Sequence, residues 1–215
     1  MKKNSSLFDG TVNLLEAGRT GKNYYVLASY VAAFILAGSG NPPAAYALLA
    51  VSSTPKLAAY KWPAASLREV VGDAMFALIP HAFLAFTATL APAPQPVPYI
   101  AAIAAALVEE SFFRFVMDEY GEPVTALLFS LFHISFRSPV YLVSSMLFVP
   151  AYFMLGCFFY EVYKRRGLLQ AYIVHSVFNV VALLYVADFS SVQAFIFASA
   201  ASLAYLLYKC GCSGR

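Results

Sequence analysis

The feature that most constrains this chain is a series of long apolar runs separated by very short polar turns. Segments at about 70–91, 97–117, 138–162, 168–187 and 190–208 are close to the roughly 17–25 residues that a helix needs to cross hydrocarbon. The turns between runs include "APAPQP", "DEYGEP", "RSP", "KRRG" and "ADFS", marked by Pro, Gly and charge. Hydrophobic residues make up 61% of the chain and charged residues 12%, against about 45–50% and 25% in soluble domains. A water-soluble fold of 215 residues cannot hide that much apolar surface. Lipid is therefore the expected solvent, and the expected fold is all-α: a polytopic transmembrane bundle of about 6–8 helices.

Two stretches are less regular. Residues 24–54 hold a clear apolar run followed by "NPPAAYALLAVSS", which suits a helical hairpin, and 123–136 is short enough to be a half-buried helix. The expected organisation is a cytoplasmic N-terminal segment at 1–23, a transmembrane domain at 24–209 with its polar motifs in 97–187, and a tail at 210–215. The start, "MKKNSSLFDGTVNLLEAGRTGK", has no apolar core or small-residue cleavage site, so no removable signal peptide is expected. Basic residues cluster at Lys56, Lys61 and Arg68 and at Lys164, Arg165 and Arg166, which assigns those turns to the cytoplasm. A net charge of +3, scattered in this way, gives no surface for nucleic acid. The expected location is a multi-pass integral membrane protein; the short loops favour a prokaryotic inner membrane.

Three cysteines make no disulfide framework. Cys157 lies in an apolar run and reads as packing, while Cys210 and Cys212 follow the last run in a context that does not fit a prenylation signal. Trp62 and the tyrosines at 24, 25, 60, 120, 163 and 208 lie near run ends, where interfacial anchors are expected. Asp73 is expected in solvent at the inner interface, and His81, after Pro80, reads as packing or kink support.

The informative residues are polar ones inside apolar runs. Counting inward from the cytoplasmic turns, Glu109 is nine residues from Asp118, His133 ten from Pro123 and His175 eight from Gly167. At helical rise these are depths of about 13, 15 and 12 Å, a single layer. Glu110 and Arg114 are four apart and can pair on one helix face, with Glu109 turned about 100° away. Phe129 lies one turn before His133, and Asn179 one turn after His175. Taken singly, the acidic pair with Arg114 could be a structural ion-pair cluster, and the histidines and Asn179 could be bridges between helices. Their common depth argues for a site.

The chemistry open to such a set is hydrolysis. An apolar pocket makes a carboxylate a stronger base, and beside a neutral histidine it can hold and deprotonate water. A second histidine with a carboxamide can donate to the oxyanion of a tetrahedral intermediate. No Ser–His or Cys–His spacing and no His-Glu-x-x-His is present.

The ordered motifs Glu-Glu-x-x-x-Arg (109–114), Phe-x-x-x-His (129–133) and His-x-x-x-Asn (175–179) resemble those of the CAAX-processing and bacteriocin-processing (ABI) family of intramembrane glutamic proteases, which includes the Ras-converting CAAX prenyl endopeptidase. The resemblance covers roughly 95–190. It implies that Glu109 and His133 activate water, that His175 and Asn179 stabilise the oxyanion, and that Glu110, Arg114 and Phe129 support them. It further implies an active site in the membrane near its cytoplasmic side, a peptide or protein substrate (prenylated, leader-bearing or sorting-tagged) and no cofactor. Two histidines and a glutamate are also a set that zinc accepts, and zinc is kept as the minor alternative. The rival readings are a non-catalytic immunity or assembly protein of the same fold and, more weakly, a transporter with a proton relay.

Overall fold

The computed structural model describes residues 24–91, 96–186 and 190–211. The expected N-terminal segment and Cys212 lie outside these residues. The described chain is helical apart from a two-residue antiparallel pairing, Thr89 with Val186 and Leu90 with Tyr185. The α-helices are α1 (Tyr24–Gly38), α2 (Pro42–Leu57), α3 (Leu67–Ala77), α4 (Ile79–Leu84), α5 (Pro96–Glu109), α6 (Glu122–Phe132), α7 (Pro139–Arg166), α8 (Leu168–Ala182) and α9 (Ser191–Gly211). A π-helical turn, Glu110–Val116, continues α5, and a 3₁₀ turn, Asp118–Tyr120, leads to α6.

Sequence accounts for most of these boundaries. Pro occupies the first turn of α2, α4, α6 and α7, where its missing N–H has no helical partner to lose. Ser138 caps α7 by accepting from the Tyr141 amide, and Asn41 caps α2 by accepting from that of Ala44. Gly167, at φ +89°, turns α7 directly into α8. The α1–α2 pair is the hairpin expected at 24–54. The run expected at 70–91 is instead a bent rod: Pro80 withholds an N–H, the helix breaks at Leu78, and it ends at Leu84. Helix α8, expected to reach 187, ends at Ala182, five residues early, where the chain turns toward the strand pairing. At the other extreme α9 runs to Gly211, so Cys210 is an exposed helical residue rather than tail.

Among the described residues, α7 and α9 are the helices long and apolar enough to cross a membrane, at 28 and 21 residues. Helices α1, α6 and α8 are apolar but shorter. Outward faces remain apolar: Phe86, Leu67, Val140, Phe195, Val97 and Val51 are each 70–88% exposed.

Two packed clusters form the interior. One joins α3, α4, α7, α8 and α9 through Ala77, Leu84, Phe158, Phe159, Val174 and Phe197; the other joins α1, α2, the π turn and α6 through Tyr30, Leu49, Phe112, Phe113 and Phe132. Helices α6 and α7 meet at Gly156, where an added Cβ would lie 2.9 Å from Ala126 Cα. The tight approach fixes α6 against the longest helix.

The two ends of the bundle differ. Ion pairs gather at one: Arg166 with Glu69, Lys164 with Asp118 at 3.1 Å, and Lys209 with Glu161 at 3.6 Å. The strand pairing and the Phe136 amide bonded to the Gly38 carbonyl at 2.7 Å lie at the other. Some residues expected in solvent or at an interface are inside. Asp73 is buried and accepts from Gln170 Nε2, because α3 packs flat on α8 and α9. Tyr120 and Tyr208 are buried too, whereas Tyr24, Tyr25 and Trp62 are exposed.

Candidate active site

The site is built where α5 gives way to the π turn. A π turn bonds i to i+5 and widens the helix, a distortion common at functional positions. It closes with the Met117 amide on the Phe112 carbonyl at 3.0 Å. Glu109 is the last residue of α5 and Glu110 the first of the π turn, and both are buried. They converge on one imidazole. His175 Nδ1 lies 2.8 Å from Glu110 Oε1, and His175 Nε2 lies 3.4 Å from Glu109 Oε2. The first glutamate is therefore not turned away from the pair formed by the second; both reach the same ring from opposite sides.

His175 is held in place. Its ring stacks on Phe159 with centroids 4.2 Å apart and planes 16° apart. Because a carboxylate oxygen only accepts, Nδ1 carries the hydrogen it shares with Glu110 when that group is ionised. Glu110 faces Arg114 as well, whose Nε lies 3.6 Å from Glu110 Oε2 with both side chains fully buried. The Arg114 guanidinium covers the Phe129 ring at 4.6 Å, and none of its nitrogens has a hydrogen-bond partner among the described residues. A buried cation on so few contacts depends strongly on its one carboxylate.

His133 comes from the C-cap of α6. Its Nδ1 lies 2.9 Å from the Phe129 carbonyl oxygen, so the hydrogen sits on Nδ1 and the Nε2 lone pair points away. The ring stacks on Tyr152 of α7, 4.2 Å between centroids at 17°, and meets Phe129 edge-on at 4.8 Å. It bonds to neither glutamate but lies within electrostatic reach of Glu109. Phe129 thus touches Arg114, His133 and, at 6.0 Å, His175. Asn179 donates an Nδ2 hydrogen to the Ala102 carbonyl at 3.2 Å, joining α8 to α5 one turn beyond His175.

Two tyrosines not singled out from sequence complete the surround. The Tyr46 hydroxyl, from α2, donates to Glu109 Oε1. Tyr152 packs on His133 and lies in electrostatic reach of Glu109. Neither has a sequence signal, because 15 tyrosines are spread through the chain. Among the described residues, no three His, Cys, Asp or Glu side chains are grouped as metal ligands.

A family model described as Type II CAAX prenyl endopeptidase Rce1-like matches residues 91–181. Over that segment, less than half of its length, the chain is similar to the Rce1-like CAAX prenyl endopeptidases. The match runs from within the α4–α5 connection to the last turn of α8, so it contains every motif residue of the site. Helices α1 to α4, with Tyr46, and α9 lie outside it. The Rce1-like family is one of membrane-embedded proteases, which agrees with the two spanning-length helices. No curated protein and no solved structure matches the chain.

Proposed function

We propose that this chain is an intramembrane endopeptidase that cuts a peptide bond with water activated by Glu109 and His133. The observation that carries the reading is the buried array Glu109–His175–Glu110–Arg114, in which one imidazole bridges two carboxylates. A structural ion pair needs Glu110 and Arg114 only. A second carboxylate against the other nitrogen of the same ring makes an acid–base pair available there.

The roles follow from donors and acceptors. His133 Nε2 accepts a hydrogen from water, since its Nδ1 hydrogen is spent on the Phe129 carbonyl. Glu109 takes the proton as water attacks the scissile carbonyl carbon. The proton is then delivered to the leaving amine nitrogen as the C–N bond breaks. Glu110 orients His175, whose Nε2 faces the reacting region and donates there when protonated. Asn179 spends one amide hydrogen on Ala102 and retains a second for the oxyanion. This is a metal-free reading.

Lipid as the solvent is supported by the apolar outward faces, by α7 and α9, and by the gathering of ion pairs at one end. The chain then crosses the membrane repeatedly with its basic end in the cytoplasm. The substrate is a peptide or protein. A surface groove of about 330 Å³, walled by Ile103, Tyr172, Ile173, Val177 and Val180, runs along α8 beside the His-x-x-x-Asn turn and suits an apolar or lipidated tail.

The deciding experiment compares peptides released in membranes carrying wild type, Glu109→Ala, His133→Ala or His175→Ala at equal insertion. Each substitution is expected to abolish release. Full release by Glu109→Ala would sink the mechanism, and equal protection of cells by wild type and Glu109→Ala would favour the non-catalytic rival.

A further inference from the structure

Glu109 has a neighbour at each oxygen, and the one that hydrogen-bonds it lies outside the matched segment. Oε2 faces His175 Nε2 at 3.4 Å, while Oε1 accepts the Tyr46 hydroxyl hydrogen. The terminal torsion of a glutamate is broad and roughly two-fold, so a carboxylate tied at one oxygen still turns about its own axis. A hydrogen bond at one oxygen and an imidazole against the other, from different helices, limit that rotation.

Tyr46 is itself well placed to act as a fixed point. Its helix α2 packs against the π turn and α5, with Ala45 and Leu49 fully buried beside it. Its ring meets Phe132 edge-on, 5.7 Å between centroids at 84°. Phe132 directly precedes His133, so the same tyrosine touches the glutamate through its hydroxyl and braces the histidine's helix end through its ring. No other tyrosine hydroxyl is bonded to a site carboxylate among the described residues.

We propose that Tyr46 is a positioning residue for Glu109: its hydroxyl sets the carboxylate plane that faces the attacking water, while its ring aligns His133 with that plane. The proposal rests on the reading of Glu109 as the water-activating base. It assigns part of the catalytic apparatus to the α1–α2 hairpin, which is outside residues 91–181. The hydroxyl contributes a hydrogen bond and no proton, and it leaves the reaction unchanged in stoichiometry.

The test uses Tyr46→Phe in the full chain, which keeps the ring and removes only the hydroxyl. The first measurement is the Glu109 carboxyl stretching band, isolated as the infrared difference between wild type and Glu109→Gln. Tyr46→Phe is expected to displace that band. Fluorotyrosine at position 46 keeps ring and hydroxyl with a stronger donor, and it is expected to move the band in the opposite direction. The second measurement uses the peptide that wild-type membranes release and Glu109→Ala membranes do not. On that peptide, Tyr46→Phe is expected to lower kcat by roughly ten- to a hundred-fold with little change in KM, as for loss of a hydrogen bond to a charged group. An unmoved band in both variants overturns the proposal, as does a wild-type kcat for Tyr46→Phe. If Glu109→Ala releases the same peptides as wild type, the protease reading fails instead, and the band still decides whether Tyr46 holds Glu109.

Discussion

At the scale of single residues, the two adjacent glutamates are predicted to fail in different ways. Glu110 is the only carboxylate beside the buried Arg114 guanidinium among the described ion pairs. Glu110→Gln therefore leaves a buried charge without its counter-ion, which costs about 3–5 kcal/mol. It also removes the charged partner of His175 Nδ1. Glu109→Gln keeps Tyr46 and His175 as neighbours and leaves the ion pair intact. Thermal unfolding in detergent should show a clear loss of stability for Glu110→Gln and little for Glu109→Gln, with peptide release lost in both. Equal melting behaviour would mean that Glu110 is not the structural partner of Arg114. The candidate residues were legible in the sequence because an ionisable group in an apolar run is rare and costly. Their pairing was not. Helical spacing fixes neighbours within one segment, such as Glu110 and Arg114, but says nothing of which imidazole on another helix meets which carboxylate. Tyr46 was hidden for a related reason, since an aromatic ring in an apolar run needs no partner to explain it.

At the scale of elements, helix existence followed from hydropathy, while helix length and kind did not. The bend at Leu78 is marked in the run by Pro80, but the early end of α8 at Ala182 arises from where its backbone donors and acceptors find partners, and apolar residues do not record that. The π turn is the sharper case. Glu110–Val116 reads as ordinary helix by composition, and only the wider bonding ring distinguishes it. Helix contact makes its own prediction. Gly156 brings α7 within reach of the α6 backbone, since its added Cβ would stand 2.9 Å from Ala126 Cα and 3.2 Å from Ala126 O. Backbone cannot swing aside as a long side chain can. Gly156→Ala should push α6 outward, destabilise the bundle by about 1–3 kcal/mol and shift His133 off its line to Glu109. A displacement near 1 Å at a reacting group can cost about a hundred-fold in rate. Kinetics on membranes with matched protein levels should therefore show a kcat loss larger than the change in stability alone explains. Unchanged kcat would show that the α6–α7 contact does not set the position of His133.

For the whole molecule, the antiparallel order of the helices gives a topology that can be tested without any substrate. Among the described residues eight rods follow one another if α3 and α4 are taken as one bent rod, so successive turns alternate between the two ends. In the proposed orientation the inner end carries Lys56, whose Nζ donates to the Val116 carbonyl at 2.8 Å, together with the ion pairs of Glu69, Asp118, Lys164 and Arg166. The outer end carries the turns at 39–41, 89–91, 133–138 and 183–186. Helix α7 links the two: its 28 residues give it a length of about 42 Å, more than the roughly 30 Å of bilayer hydrocarbon. On the proposed membrane reading, that length lets its two ends reach opposite faces with some tilt. In a chain with its native cysteines replaced by serine, a cysteine at the exposed Arg137 should react with a membrane-impermeant maleimide in intact cells. A cysteine at Lys164, about half exposed at the inner end, should react only after the cells are opened. The opposite pattern would put the basic turns outside and reverse the proposed orientation. Labelling of both positions in intact cells would remove α7 as a span, and with it the case that this bundle works in lipid.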